Sequence, residues 1–166
     1  MKTLFAASLF ALLLSGLVRA QAPPNDEIAG AIVAAPGVNP GGSANFFTNV
    51  GATTTPGTQY PGCFGAHSDV WFTYVPSALG PHTFATCVPA GYEPGSLQGA
   101  TLTVVDAGSL QPLACDAVGC GVPSPSPFGN QAKVSLYVGS LAPLLIRVAS
   151  YEQTTPGTFY FSVWAG

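Results

Sequence analysis

The chain has 166 residues, with four Lys and Arg against seven Asp and Glu, two His, four Cys, 20 Gly and 16 Pro. So few cations exclude a phosphate-neutralising surface, and with it nucleic acid and charge-driven attachment to anionic lipid. A charged content of 7 % also excludes a salt-bridged helical bundle or a solvated disordered tail.

Residues 1–20 open on Lys2, run through the apolar stretch Leu4 to Leu14 and close on Val18-Arg19-Ala20, the pattern of a secretory signal peptide. The apolar run is too short to cross about 30 Å of hydrocarbon, so no membrane insertion is expected. Residues 21–166 are then one exported domain. Its cations are Lys133 and Arg147 against seven acids, Asp26, Glu27, Asp69, Glu93, Asp106, Asp116 and Glu152, a formal charge of −5.

The first element of that domain is a short helix over Asn25 to Ile32, with Asn25 as capping acceptor and acids in the first turn. Beyond it the chain reads as β structure, because Val and Thr are abundant while the usual surface helix formers are scarce. The predicted strands, in order, are Ser43 to Asn49, Asp69 to Val75, His82 to Cys87, Thr101 to Ala107, Lys133 to Val138, Pro143 to Ala149 and Gly157 to Trp164. Val134, Leu136 and Val138 alternate with Lys133 and Ser135, the period of a strand with one buried face. Asp69 to Val75 is apolar on both faces, which predicts a central strand with Trp71 and Phe72 in the core. Arg147 is out of phase with Leu144, Ile146 and Val148 and is expected to pair with an acid on the outer face.

Pro-Gly pairs beginning at Pro36, Pro40, Pro56, Pro61, Pro94 and Pro156 punctuate these runs, each suited to a type II turn. Thr54 to Tyr60 recurs almost unchanged as Thr154 to Tyr160; nothing around the copies matches, so the recurrence is read as shared turn chemistry. Gly119 to Asn130, rich in Ser-Pro, is expected to be an extended exposed loop. The pattern as a whole predicts an all-β fold, a single β-sandwich.

Cys63, Cys87, Cys115 and Cys120 all follow the signal peptide, and an even count in an exported chain predicts disulfides. Of the three pairings, a local staple between Cys115 and Cys120 is expected, which leaves Cys63 with Cys87. The spacing lacks the C-x2-C knuckles of a zinc site and the C-x-x-C of a redox centre.

Catalytic chemistry is poorly supported. His67-Ser68-Asp69 carries the three triad residue types, but neighbours on a strand point to opposite faces. Asn25, Asp26 and Asp69 are candidate calcium ligands, since hard oxygen donors suit that ion, with helix capping and strand-end bonding as their structural roles. Asp106 and Asp116 are expected to support turns. Tyr60, Tyr92, Tyr151, Tyr160 and Trp164 are candidate sugar-docking aromatics.

The order Pro24-Asn25-Asp26, Asp69-Val70-Trp71-Phe72-Thr73-Tyr74, Thr86-Cys87, Thr101 to Asp106, Leu113-Ala114-Cys115-Asp116, Leu144 to Val148 and Gly157 to Val163 resembles the bacterial pre-peptidase C-terminal domains. The likeness is to the Cys-containing variant found in secreted proteins of planctomycetes and similar bacteria. It implies a jelly-roll-like sandwich of about eight strands, without catalytic activity, and points to calcium at Asn25, Asp26 and Asp69. Family members carry an acidic pair or triple after Leu-Ala-Cys, where this chain continues from Asp116 to Ala117 and Val118. Together these readings predict a secreted, non-catalytic module that binds extracellular polysaccharide or protein, with a structural protein of the cell envelope or matrix as the alternative.

Overall fold

The computed structural model describes residues 20–35, 46–88, 95–120, 131–153 and 155–165. Residues 1–19, read as most of a signal peptide, Tyr92, and residues 121–130 of the segment expected to be a Pro-rich loop lie outside them. Ten strands are present among the described residues: β1 (Ile32–Val33), β2 (Phe46–Thr48), β3 (His67–Tyr74), β4 (Gly80–Ala85), β5 (Ala100–Asp106), β6 (Pro112–Asp116), β7 (Lys133–Val138), β8 (Leu144–Ser150), β9 (Thr158–Tyr160) and β10 (Ser162–Ala165). They form a five-stranded sheet in the order β1-β3-β8-β5-β6, a three-stranded sheet β10-β4-β7, and the two-stranded ribbon β2-β9. The fold is the all-β sandwich that the alternating runs predict. No described helix is long and apolar enough to cross a membrane.

Several features depart from expectation in detail, among them β1 and β6, which are strands where none was predicted. The predicted closing strand divides at Phe161 into β9 and β10, which pair with different partners, β2 and β4. The N-terminal helix is a single 3-10 turn, Ile28–Gly30, with Glu27 at its N-cap position and no side-chain cap. Asn25 does not cap it because Asn25 is tied to β3: its Nδ2 donates to the Trp71 carbonyl at 3.0 Å, and its own carbonyl accepts the Trp71 N–H.

The period-two pattern builds the core. Val70, Phe72 and Tyr74 of β3, Leu102 and Val104 of β5, and Ile146 and Val148 of β8 face Phe84, Val134, Val138 and Val163 of the smaller sheet. Phe72 stacks on Phe161 at 4.3 Å between centroids and meets Phe47 edge-on at 4.8 Å. Burial of each such side chain is worth about 1.5–3 kcal/mol.

The five-stranded sheet is covered on its other face as well. Trp71, Val105 and Leu145 lie there under Ile28, Ala31 and Tyr60, so the 3-10 turn and the loop before β3 supply a second layer. Every residue of β8 is buried as a result. Among the described residues the three-stranded sheet has no such layer: on its outer side Pro81, Ser135 and Tyr137 are exposed, and Thr83 and Trp164 are partly so.

The disulfides join Cys63 to Cys115 and Cys87 to Cys120, which corrects the expected Cys63–Cys87 and Cys115–Cys120 pairing. The reason lies in register. Trp71, Arg147, Thr103 and Cys115 form one row across the outer face of the large sheet, and the loop carrying Tyr60 and Cys63 packs on that row. Cys87 follows β4, while the Cys120 N–H bonds to the Gln131 carbonyl just before β7, the partner of β4. The local loop needs no staple: the Asp116 carboxylate accepts the N–H groups of Val118, Gly119 and Lys133 at 3.0, 2.6 and 2.9 Å. Separations of 52 and 33 residues restrict the unfolded chain more than a five-residue loop would, by about 4 kcal/mol each against about 2 in the loop-closure model.

Candidate functional site

Asp69 lies two residues before Trp71 and so shares the outer face of β3; just ahead of it the ladder to β8 shifts between His67 and Val70, with Ser68 at φ 50°. The loop before β3 then wraps the carboxylate. Thr55 donates its N–H and its hydroxyl to Asp69 Oδ1 at 2.9 and 2.8 Å, and the Thr58 hydroxyl donates to Oδ2 at 3.3 Å. The Trp71 indole N–H donates in turn to Thr55 Oγ1 at 2.9 Å.

Arg147 completes this network from β8. Its guanidinium lies 3.9 Å from Asp69 Oδ2, donates to the Thr58 carbonyl and to Thr103 Oγ1, and sits 5.0 Å over the Tyr60 ring. Both charged side chains are almost wholly buried. Burial pushes the Arg147 pKa down from its ordinary value, opposed by the nearby Asp69 carboxylate and Tyr60. Tyr60 is raised, chiefly by burial; Arg147 lowers it and Asp69 adds to the rise. The acid that the phase of Arg147 called for is therefore Asp69.

The three candidate calcium ligands do meet in one neighbourhood. Asp26 accepts the Thr53 N–H and hydroxyl at 2.6 and 3.1 Å, two residues from the Thr55 that binds Asp69. Asn25 turns its amide nitrogen to Trp71. As these side chains stand, the set does not fit a calcium ion: both carboxylates face protein donors, and a guanidinium already occupies the cationic position beside Asp69. Among the described residues, no group of three or more His, Cys, Asp or Glu side chains is placed to hold a metal.

Asp106 and His82 also have structural partners. Asp106 accepts from Gly108, Ser109 N–H and Ser109 Oγ, and the Ser109 hydroxyl bond holds its carboxyl below the usual range. His82 is buried, and its Nδ1 donates to the Gly80 carbonyl at 3.0 Å. His67, Ser68 and Asp69 do not converge, because the bonds to the Asp69 carboxylate come from Thr55 and Thr58.

The aromatic candidates separate by environment. Tyr60 is structural, held under Arg147. Tyr151, 49 % exposed, contacts Phe64, 41 % exposed, edge-on at 6.3 Å. Tyr160 meets Phe46 at 5.0 Å, beside an open cleft of about 320 Å³ lined by Pro23, Ile32, Phe46, Phe47, Thr48 and Thr158. Trp164 stands on the outer face of the three-stranded sheet. Sequence reasoning missed its neighbour on that face, Tyr137, the most exposed large apolar side chain described, at 74 %. The signal was there in the strict alternation of Lys133, Ser135 and Tyr137 against Val134, Leu136 and Val138.

The chain is similar in structure to the pre-peptidase C-terminal domain of collagenase from Bacillus anthracis, at 14 % identity over 57 % of this chain and 75 % of that one, with a TM-score of 0.39. No family model matches the chain, and no curated protein matches it.

Proposed function

We propose that the chain is an exported, non-catalytic binding module whose target is an extracellular polysaccharide or protein. The observation that supports this reading is a division of labour among side chains. Asp26, Asp69, Asp106, Asp116 and Arg147 are engaged with backbone amides, hydroxyls and one another, while Phe46, Phe64, Tyr137 and Tyr151 lie exposed. Catalysis needs titratable groups free to exchange protons with a substrate; binding of sugars or proteins uses exposed rings. Export rests on the pattern of residues 1–20, and the two disulfides suit an oxidising compartment.

Residues 21–166, immobilised and presented with a panel of extracellular polysaccharides and matrix proteins, are expected to retain at least one polymer. Retention of none, together with measurable turnover of a substrate, would overturn the reading. Detergent-resistant association with the cell envelope and no ligand retention would favour a structural role instead.

A further inference from the structure

We propose that the outer face of the three-stranded sheet is a platform for a neutral polysaccharide chain, held by Tyr137 and Trp164 with the Thr83 and Ser135 hydroxyls between them. This rests on the binding-module reading and gives it a place and a ligand class.

The register places these residues together. Trp164 of β10 lies opposite Thr83 of β4, Thr83 opposite Ser135 of β7, and Pro81 opposite Tyr137. Trp164, Thr83 and Ser135 therefore make one row across the sheet, and Pro81 and Tyr137 the adjacent row on the same face. Phe84, Val134, Val138 and Val163 point the other way, into the core. Two strand spacings across and two residues along put the Trp164 and Tyr137 backbones about 12 Å apart. That distance exceeds one sugar ring, so the pair suits an extended oligomer rather than a monosaccharide.

The chemistry of the face matches a sugar chain. Pyranose rings present apolar C–H faces, which stack on aromatic rings, and hydroxyl edges, which need donors and acceptors. The two aromatics stand on opposite edge strands. Between them Thr83 Oγ1 and Ser135 Oγ share one hydrogen bond of 2.9 Å at an exposed position, leaving the rest of their bonding capacity for a ligand. The strands β4, β7 and β10 contain no acid, and Lys133 stands at the end of β7 remote from Tyr137. Lys133 is on this same face, two residues from Ser135 on the side away from Tyr137; no acid and a single marginal cation offer too little charge to select a charged polymer, which suits a neutral one.

The test measures depletion of residues 21–166 from solution by cellulose, mannan, neutral β-glucan and chitin, for the natural chain and for variants. The natural chain is expected to bind at least one of these. Tyr137→Ala should then weaken binding about tenfold or more, the equivalent of one lost stacking contact, whereas Tyr137→Phe should retain most of it. Thr83→Val should weaken it less. Tyr137→Ala serves as the primary variant because its side chain is exposed, and an unchanged melting temperature would show the fold intact. Phe46→Ala and Tyr151→Ala should bind as the natural chain does. Binding lost with Phe46→Ala or Tyr151→Ala and kept with Tyr137→Ala would overturn the site and leave the module reading standing. Failure of the natural chain to bind any of the four would overturn the proposal, and retention of a matrix protein in the same assay would show that the module reading survives it.

Discussion

The two sheets of the sandwich share one core and differ in what lies on their far sides. Behind the five-stranded sheet stand the 3-10 turn and the loop carrying Tyr60, and between them a buried ion pair. Behind the three-stranded sheet the described residues place nothing over Tyr137, and Thr83 and Ser135 bond only to each other there. Polar groups on the first sheet are engaged by protein partners, and those on the second remain available. This difference separates residues that hold the fold from residues that can meet a ligand, and composition alone does not make that separation.

The contrast between the two sheets is largest at the buried ion pair. Asp69→Ala should cost about 3–5 kcal/mol, because it strands the buried Arg147 charge as well as the Thr55 N–H; a smaller loss in the urea midpoint would mean that the covering loop is loosely held. Removal of the Cys63–Cys115 bond by Cys63→Ala with Cys115→Ala should cost about 2–4 kcal/mol. Hydrogen exchange in that variant should rise in the loop before β3 more than in β4 or β7. Tyr137→Ala, on the open sheet, should change stability by no more than about 0.5 kcal/mol, whatever it does to binding.

Two smaller effects sharpen the picture. Asp106 has a folded pKa held below its unfolded value by the Ser109 hydroxyl bond. Its contribution is therefore present above the ordinary carboxylate range and is lost as pH falls through the folded pKa; Asp106→Asn should flatten the acid side of the stability profile. Calcium should leave the melting temperature unchanged against a chelator. A bound ion would raise it with concentration as RT ln(1 + [L]/Kd), and such a rise would show that Asp26 and Asp69 can release their threonine partners.

Much of this was legible as pattern. The absence of alternation in Asp69 to Val75 marked a strand buried on both faces, and the phase of Arg147 marked it as the partner of an outer-face acid. Which acid it would meet was not legible, since Asp69 reaches Arg147 only through the pairing of β3 with β8. The cysteine pairing was hidden for the same reason: Cys115 belongs to an edge strand whose place beside β5 sets what passes above it. The near-repeat also resolves into different structures. Thr55 binds Asp69, whereas Thr155 donates to the Gln98 carbonyl; the copies share turn residues and no common site. Tyr137 was not singled out from the sequence, because only the register sets Trp164 and two hydroxyls beside it.

The most direct test of the account is a residue-resolved NMR titration of residues 21–166 with a soluble neutral oligosaccharide drawn from whichever polysaccharide binds. Shifts are expected to concentrate at Thr83, Ser135, Tyr137 and Trp164, with Asp69, Arg147 and the loop before β3 unmoved. Shifts centred on Phe46 and the adjoining cleft, or on Phe64 and Tyr151, with the three-stranded sheet silent, would contradict it.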